Sequence, residues 1–319
     1  MGCRSVMRNS NRMDQAHQHT LVGDEDLQAG NSDRQRVLCP AKVNLGLRVF
    51  PRREDGYHDI DSWFAPLSLA DVLTVNEAPQ PEIILNGMTA DITTEFEKNL
   101  AGRAALAMGV MAGKPANVRI EIDKLIPTGG GLGGGSSDAA GAMLAISRLW
   151  HLDISLDVMA AEALQLGSDV PFFIRGQSAR CRGRGERMTP LHRTTPLFGV
   201  LIVPPKGIST AEVYRIFDDL PAPANRAPAY DKIANAPACL IDDAIFNDLQ
   251  PAAFTAAPWL KELHHTVERA LCQRVHMSGS GSTLFTLHDR ADQTEAADEI
   301  LQKALGHSAR ILPVRVSGA

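Results

Sequence analysis

Residues able to do chemistry are concentrated in one run, Pro127-Thr-Gly-Gly-Gly-Leu-Gly-Gly-Gly-Ser-Ser137, with six glycines between residues 129 and 135. So many glycines cost conformational entropy on folding, but they permit positive φ and close approach of backbone to a ligand. Successive N–H groups can then cradle an anion. Residues 118–123 alternate like a strand just before the run. After it, Ala139, Met143, Ile146 and Trp150 recur at helical spacing, with Ser136, Ser137 and Asp138 as N-cap candidates. Strand, glycine loop and helix N-terminus together make a phosphate site.

Other reactive side chains lie far away in sequence. Val43, Leu45, Leu47 and Val49 alternate with Lys42, Asn44, Gly46 and Arg48, which predicts a half-buried strand with Lys42 and Asn44 adjacent on its polar face. That face is either simply solvated or functional. Tyr57-His58 follows an Asp-Gly turn. Asp169 falls in a tight turn, expected between a helix end and an apolar strand over 168–174, where a turn or N-cap role is the ordinary one. Ser278-Gly-Ser-Gly-Ser282 reads as a tight hairpin.

These groups need elements to hold them. Residues 1–35 show little apolar periodicity and predict a disordered extension without the apolar core of a signal peptide. Order is expected from Val37, with a strand near 71–75, a helix over 99–111, and a helix over 156–166 closed by Gly167 as C′ residue. The arginines of 175–187 predict a turn and strand with solvated charges. The pattern restarts near 193 with a strand over 197–204. Ser209-Thr-Ala-Glu212 then has capping-box spacing and opens a helix to Phe217. A Pro/Ala-rich loop over 221–237 leads to helices near 239–249 and 258–271. Strands over 274–277 and 283–288, a helix over 291–305 and a strand over 310–316 complete a βαββαβ-like unit. The expected organisation is therefore an extension (1–35) and two α+β domains (36–192 and 193–319).

Composition narrows the function classes. The chain has 319 residues, 44% hydrophobic and 22% charged, as in a globular protein with a sizeable core. A net charge of −5 without a basic stripe predicts no nucleic-acid partner. No apolar run approaches the roughly 20 residues of a membrane span. Five cysteines without C-x-x-C spacing point to reduced thiols in a cytoplasmic protein rather than a disulfide framework or zinc site.

Gly129-x-Gly131-x-x-Gly134 formally fits the dinucleotide fingerprint, but a Rossmann unit opens its domain and this loop lies well inside the chain. Gly130 and Gly135 have the Walker separation, yet Ser136-Ser137 stand where Lys-Ser/Thr is required. A triphosphate still needs a cation, and Lys42 and a bound Mg²⁺ are the available ones. The stretch from Pro127 to Ala140 resembles the phosphate loop of the galactokinase, homoserine kinase, mevalonate kinase and phosphomevalonate kinase (GHMP) superfamily. Pro40-Ala-Lys-Val-Asn-Leu-Gly-Leu47, Asp55-Gly-Tyr-His58, Leu166-Gly-Ser-Asp-Val-Pro-Phe172, Ile208-Ser-Thr-Ala-Glu-Val-Tyr214 and Met277-Ser-Gly-Ser-Gly-Ser282 follow the family's order. Together they cover residues 37–316. The doubled triple glycine resembles the branch that acts on a cytidine diphosphate-linked polyol in the non-mevalonate route to isoprenoid precursors.

The resemblance implies a two-domain fold, with an N-terminal domain like ribosomal protein S5 domain 2 and a ferredoxin-like C-terminal domain. It implies an ATP-dependent small-molecule kinase that uses Mg²⁺, monomeric or homodimeric, with metal ligands left open. Lys42 and Asp169 would be the catalytic pair. Pro127, Thr128, Gly129, Gly130, Gly131, Leu132, Gly133, Gly134, Gly135, Ser136 and Ser137 would hold the phosphates, with Asn99 and Lys124 near the adenine and phosphates. Asn44, Tyr57, His58 and Thr210 would face the substrate, the Tyr57 ring stacking on a cytosine and the His58 imidazole bonding its edge. Gly46 and Arg48 depart from the bulkier or less charged residues expected in relatives.

Overall fold

A computed structural model describes residues 33–88, 92–223 and 226–317, so most of the expected extension lies outside the described residues. Two long antiparallel strands form the frame: β1 (Arg34–Arg52) and β2 (His58–Glu77), joined through the Asp55-Gly56 turn. Both exceed the strands expected from alternation, and β1 begins at Arg34, inside the expected extension. Three irregularities interrupt their pairing, two of them near the middle of β1. The β1–β2 register shifts between Pro40 and Lys42 and again between Asn44 and Gly46. Such irregularities bend a strand and re-aim its side chains. Val37 and Cys39 therefore join one core, Ala41, Val43 and Leu45 a second, and Leu47 and Val49 the first again. Between the bulges, Lys42 and Asn44 are turned toward the first core's helices.

β3 (Glu82–Gly87), which alternation did not reveal, runs parallel to β4 (Val118–Lys124), and α1 (Leu100–Ala112) lies between them in the chain. α2 (Gly134–Leu149) follows the glycine loop and packs on α1 and β1. Burying Met143 and Ile146 completely stabilises this layer by about 1.5–3 kcal/mol per side chain. α3 (Leu156–Leu166) has the expected bounds and is capped by Ser155, but Gly167 is extended rather than left-handed.

The apolar run after Asp169 is α4 (Val170–Arg175), a helix where a strand was expected. A short apolar run has no period to separate the two, and Pro171 suits a first helical turn. β5 (Ala179–Gly183) and β6 (Arg187–Pro190) form a hairpin on β2. Its charges are not all solvated, because Arg180 forks onto Asp61 at 2.6 and 2.8 Å.

In the second half, β7 (Leu197–Val203) and α5 (Thr210–Asp219) match expectation, with Ser209 as N-cap. α6 (Tyr230–Ile233) interrupts the expected loop, and α7 (Ala238–Ala244) and α8 (Gln250–Ala256) replace one helix over 239–249. The break is tertiary: Leu47 donates to the Phe246 carbonyl, and the Asp248 amide and carboxylate bind the Leu47 carbonyl and the Val49 amide. α9 (Pro258–Leu271), β8 (His276–Met277), β9 (Leu284–His288), α10 (Ala291–Leu305) and β10 (Arg310–Val316) finish the described chain.

The sheet order is β3-β4-β2-β10-β7-β9-β8, with β1 and the β5–β6 hairpin also on β2. Its β10-β7-β9-β8 portion is antiparallel and has the βαββαβ order of a ferredoxin-like unit. β10 pairs with β2 at Val316 and Leu67, so the sheet crosses the boundary near 193. Gly46, one of the two departures, has a packing reason: a Cβ there would lie 2.7 Å from the Tyr230 hydroxyl.

Candidate active site

Three loops meet at the seam between the halves. The Lys42 amide donates to the Leu132 carbonyl (2.9 Å), tying β1 to the glycine loop. The Ser278–Ser282 loop packs against the same run: Thr283 N–H points at the Gly130 carbonyl, and Ser278 Oγ lies 3.5 Å from that of Gly131. Residues 205–210 close the third side, where Ser282 Oγ donates to the Lys206 carbonyl and Thr210 Oγ1 lies 2.8 Å from Ser280 Oγ. Gly129, Gly131 and Gly133 take φ of +72°, +75° and +74°. At Gly131 the fit is also close, since a Cβ would lie 3.0 Å from the Ser278 carbonyl.

α2 begins earlier than its serines suggested. Gly133 is the N-cap, no side chain caps the end, and the first helical bond runs from the Ser137 amide to the Gly133 carbonyl. Ser136, Ser137 and Asp138 thus sit in the first turn instead of capping it. The amides of residues 134–136 precede that first bond and point out of the helix end. Space beside Gly135 is open, and the buried Ser137 hydroxyl has no partner. Free amides, the positive end of a 16-residue helix and an orphaned hydroxyl fit an anion with several oxygens.

Lys42 Nζ stands beside this end. It donates to Asn44 Oδ1 at 2.6 Å, lies 3.5 Å from Asp169 Oδ2 and sits 4.6 Å above the Phe64 ring. Asp169 occupies the N-cap position of α4 but makes no capping bond, and its side chain is 32% exposed. Its carboxylate is therefore open to a ligand on one side and held by Lys42 on the other.

Several residues expected at the site are also held by the protein itself. Asn44 accepts from Lys42 through Oδ1 and donates to Ser62 through Nδ2, so it positions the lysine. Asn99 caps α1 through the Ala101 amide and donates to the Thr93 carbonyl. Lys124 is buried beneath the loop, its ammonium shared between Asp71 and Asp138 (2.5 Å to the latter). Asp71 also accepts the Leu125 and Ile126 amides, anchoring the entry to the glycine loop. Burial, and then the neighbouring Asp71, push the Asp138 carboxyl up to about 7, while Lys124 pulls it down.

On the acceptor side, Tyr57 is 51% exposed with the Arg184 guanidinium 3.9 Å above its ring, and Arg184 also reaches Ser168 Oγ. His58 is buried; Nδ1 lies 2.8 Å from the Phe50 carbonyl, Nε2 3.3 Å from Asp218, and the ring 5.0 Å from that of Tyr214. Tyr57 and His58 consequently face different surroundings. Thr210 is the first helical residue, the N-cap being Ser209. Pro127 is buried and Thr128 exposed at the loop entrance. Sequence reading missed Asp71, Ser62, Arg184 and Asn247, whose amide clamps the Met277 and Gly279 carbonyls. Their signal was weak, because each lies outside a motif and acts through the fold.

The chain matches the models "GHMP kinases N terminal domain" over residues 99–177 and "GHMP kinases C terminal" over 235–319, and it belongs to the GHMP kinases. A Thermus thermophilus protein is 41% identical over 271 residues, 83% of this chain and 92% of the relative. One from Streptomyces avermitilis is 37% identical over 290 residues, 89% and 98% of the two chains. Both carry the name 4-diphosphocytidyl-2-C-methyl-D-erythritol kinase. A crystal structure of 4-(cytidine 5'-diphospho)-2C-methyl-D-erythritol kinase aligns with TM-score 0.72 at 39% identity, over 89% of this chain and all of that one. Within the GHMP kinases, this chain belongs with the 4-diphosphocytidyl-2-C-methyl-D-erythritol kinases. A homoserine kinase structure from Cytophaga hutchinsonii shares the fold, with TM-score 0.68 at 16% identity over 92% and 96% of the chains.

Proposed function

We propose that the chain transfers the γ-phosphoryl group of ATP to the 2-hydroxyl of 4-diphosphocytidyl-2-C-methyl-D-erythritol. The observation that carries this is the Lys42–Asp169 pair beside an uncapped helix N-terminus. Amides of residues 129–136 bind the β- and γ-phosphates. Asp169 orients the acceptor hydroxyl and takes its proton as the new O–P bond forms and the bond from Pγ to the β-phosphate oxygen breaks, releasing ADP. Lys42 counters charge on the transferring group, and Asn44 and Phe64 fix the ammonium's direction. A loose phosphoryl-transfer transition state makes such positioning and charge more important than base strength. The unpartnered Ser137 hydroxyl would be the protein oxygen available to a Mg²⁺ ion, which would supply further neutralisation of phosphate charge.

Tyr57, with Arg184 over its ring, is a stacking surface for the cytosine, and His58 is the imidazole that would bond the base edge. Free thiols at Cys39, Cys181, Cys239 and Cys272 support a reducing, cytoplasmic setting. A monomer or homodimer would suffice for this site. The reading is tested by measuring phosphate transfer from ATP to the cytidylyl polyol, mevalonate and homoserine. Turnover confined to the first is expected; turnover on another alcohol with none on the first overturns it.

A further inference from the structure

A second set of metal-type ligands lies on α9, outside the phosphoryl-transfer site. His264, His265 and Glu268 bring two ring nitrogens and a carboxylate oxygen within 4.8 Å of one another. His264 is the informative member. It is 5% exposed, and its Nε2 lies 2.9 Å from the Val275 carbonyl oxygen. A carbonyl only accepts, so Nε2 carries the proton, and the neutral ring has its lone pair on Nδ1. That Nδ1 is buried without a hydrogen-bond partner and faces Glu268 Oε2 at 3.4 Å.

A nitrogen lone pair and a carboxylate at this distance repel unless a cation joins them. A metal ion meets the requirement. Ligand atoms 3.4 Å apart span the edge of a tetrahedron whose metal–ligand bonds are about 2.1 Å. The Nε2–H bond to a backbone carbonyl is also the outer-shell arrangement that orients ligating histidines. His265 is exposed and can turn in as third ligand, leaving a position for water.

We propose that His264 Nδ1, His265 and Glu268 form a binding site for a borderline divalent transition-metal ion such as Zn²⁺ or Co²⁺. Two imidazoles and one carboxylate do not suit Mg²⁺, so this site is separate from the metal of the kinase reaction. Through Val275 it would brace the segment leading into β8 and the Ser278–Ser282 loop. The role is structural.

Tag-free protein stripped with chelator, titrated calorimetrically with Zn²⁺ and followed by the visible spectrum of Co²⁺, provides the test. Binding of one equivalent is expected, with affinity at least tenfold weaker in His265→Ala and Glu268→Gln and lost in the double variant. Zn²⁺ should raise the Tm of the wild type and not of the double variant. Both positions are at the surface, so the variants should remain folded with basal activity unchanged. No Zn²⁺ binding by the wild type, or equal binding by the double variant, overturns the proposal.

Discussion

Replacing Lys124 by Met should be costly in a way that depends on pH. Lys124, Asp71 and Asp138 are all at least nine-tenths buried, and the ammonium bonds both carboxylates. Without it, two carboxylates face each other across the space one ammonium filled, where like charges about 4 Å apart repel by about 4 kcal/mol at an effective dielectric near 20. Loss of one partner from a buried ionic cluster costs about 3–5 kcal/mol, and urea unfolding at pH 8 should show that range. At lower pH the variant escapes by protonating Asp138. Wild-type Asp138, raised to about 7, escapes part of the same burden between pH 6 and 8. With each pKa unit worth about 1.4 kcal/mol, the difference between the proteins should shrink by about 1 kcal/mol from pH 8 to pH 6. Lys124→Met with Asp138→Asn should recover much of the loss by removing one of the facing charges. A cost below 1 kcal/mol at pH 8, or a cost that does not shrink toward pH 6, would refute a buried ionic anchor beneath the phosphate loop.

Asn44→Ala should lower kcat by roughly 10²-fold through misdirection of Lys42 while leaving KM for ATP nearly unchanged, measured by steady-state kinetics. Gly131→Ala must hold a side chain at positive φ against the Ser278 and Gly281 carbonyls, so nucleotide affinity measured by calorimetry should fall at least tenfold. Tyr57→Ala should raise KM for the cytidylyl acceptor roughly tenfold without moving that for ATP, as loss of one base-stacking contact requires. Asp138 holds a proton in the folded state that the unfolded carboxyl, near 3.8, has released, so its contribution to stability falls as pH rises from about 4 to 7. Asp138→Asn should lack that downward slope, which pH-dependent unfolding would reveal.

The site was legible in the sequence where chemistry resides in a contiguous run. The glycine loop, the helix after it and the ferredoxin-like order of the second half all followed from local pattern. What stayed hidden depended on tertiary context. The bulges at 40–42 and 44–46 leave alternation intact while turning Lys42 and Asn44 toward the site. α4 looked like a strand because five buried residues carry no period. The internal partners of Lys124 and Asn99 were equally hidden: Asp71 lies 53 positions from one, and the other caps a helix. A residue's type showed what it could bind; only the fold showed what it already held.

The most direct test is transfer of labelled γ-phosphate from ATP to 4-diphosphocytidyl-2-C-methyl-D-erythritol by the wild type and Asp169→Asn, with ATP binding measured in parallel. The Lys42–Asp169 reading predicts rapid transfer by the wild type, and unchanged ATP affinity with most of the turnover lost in the variant. Near wild-type transfer by Asp169→Asn would contradict it.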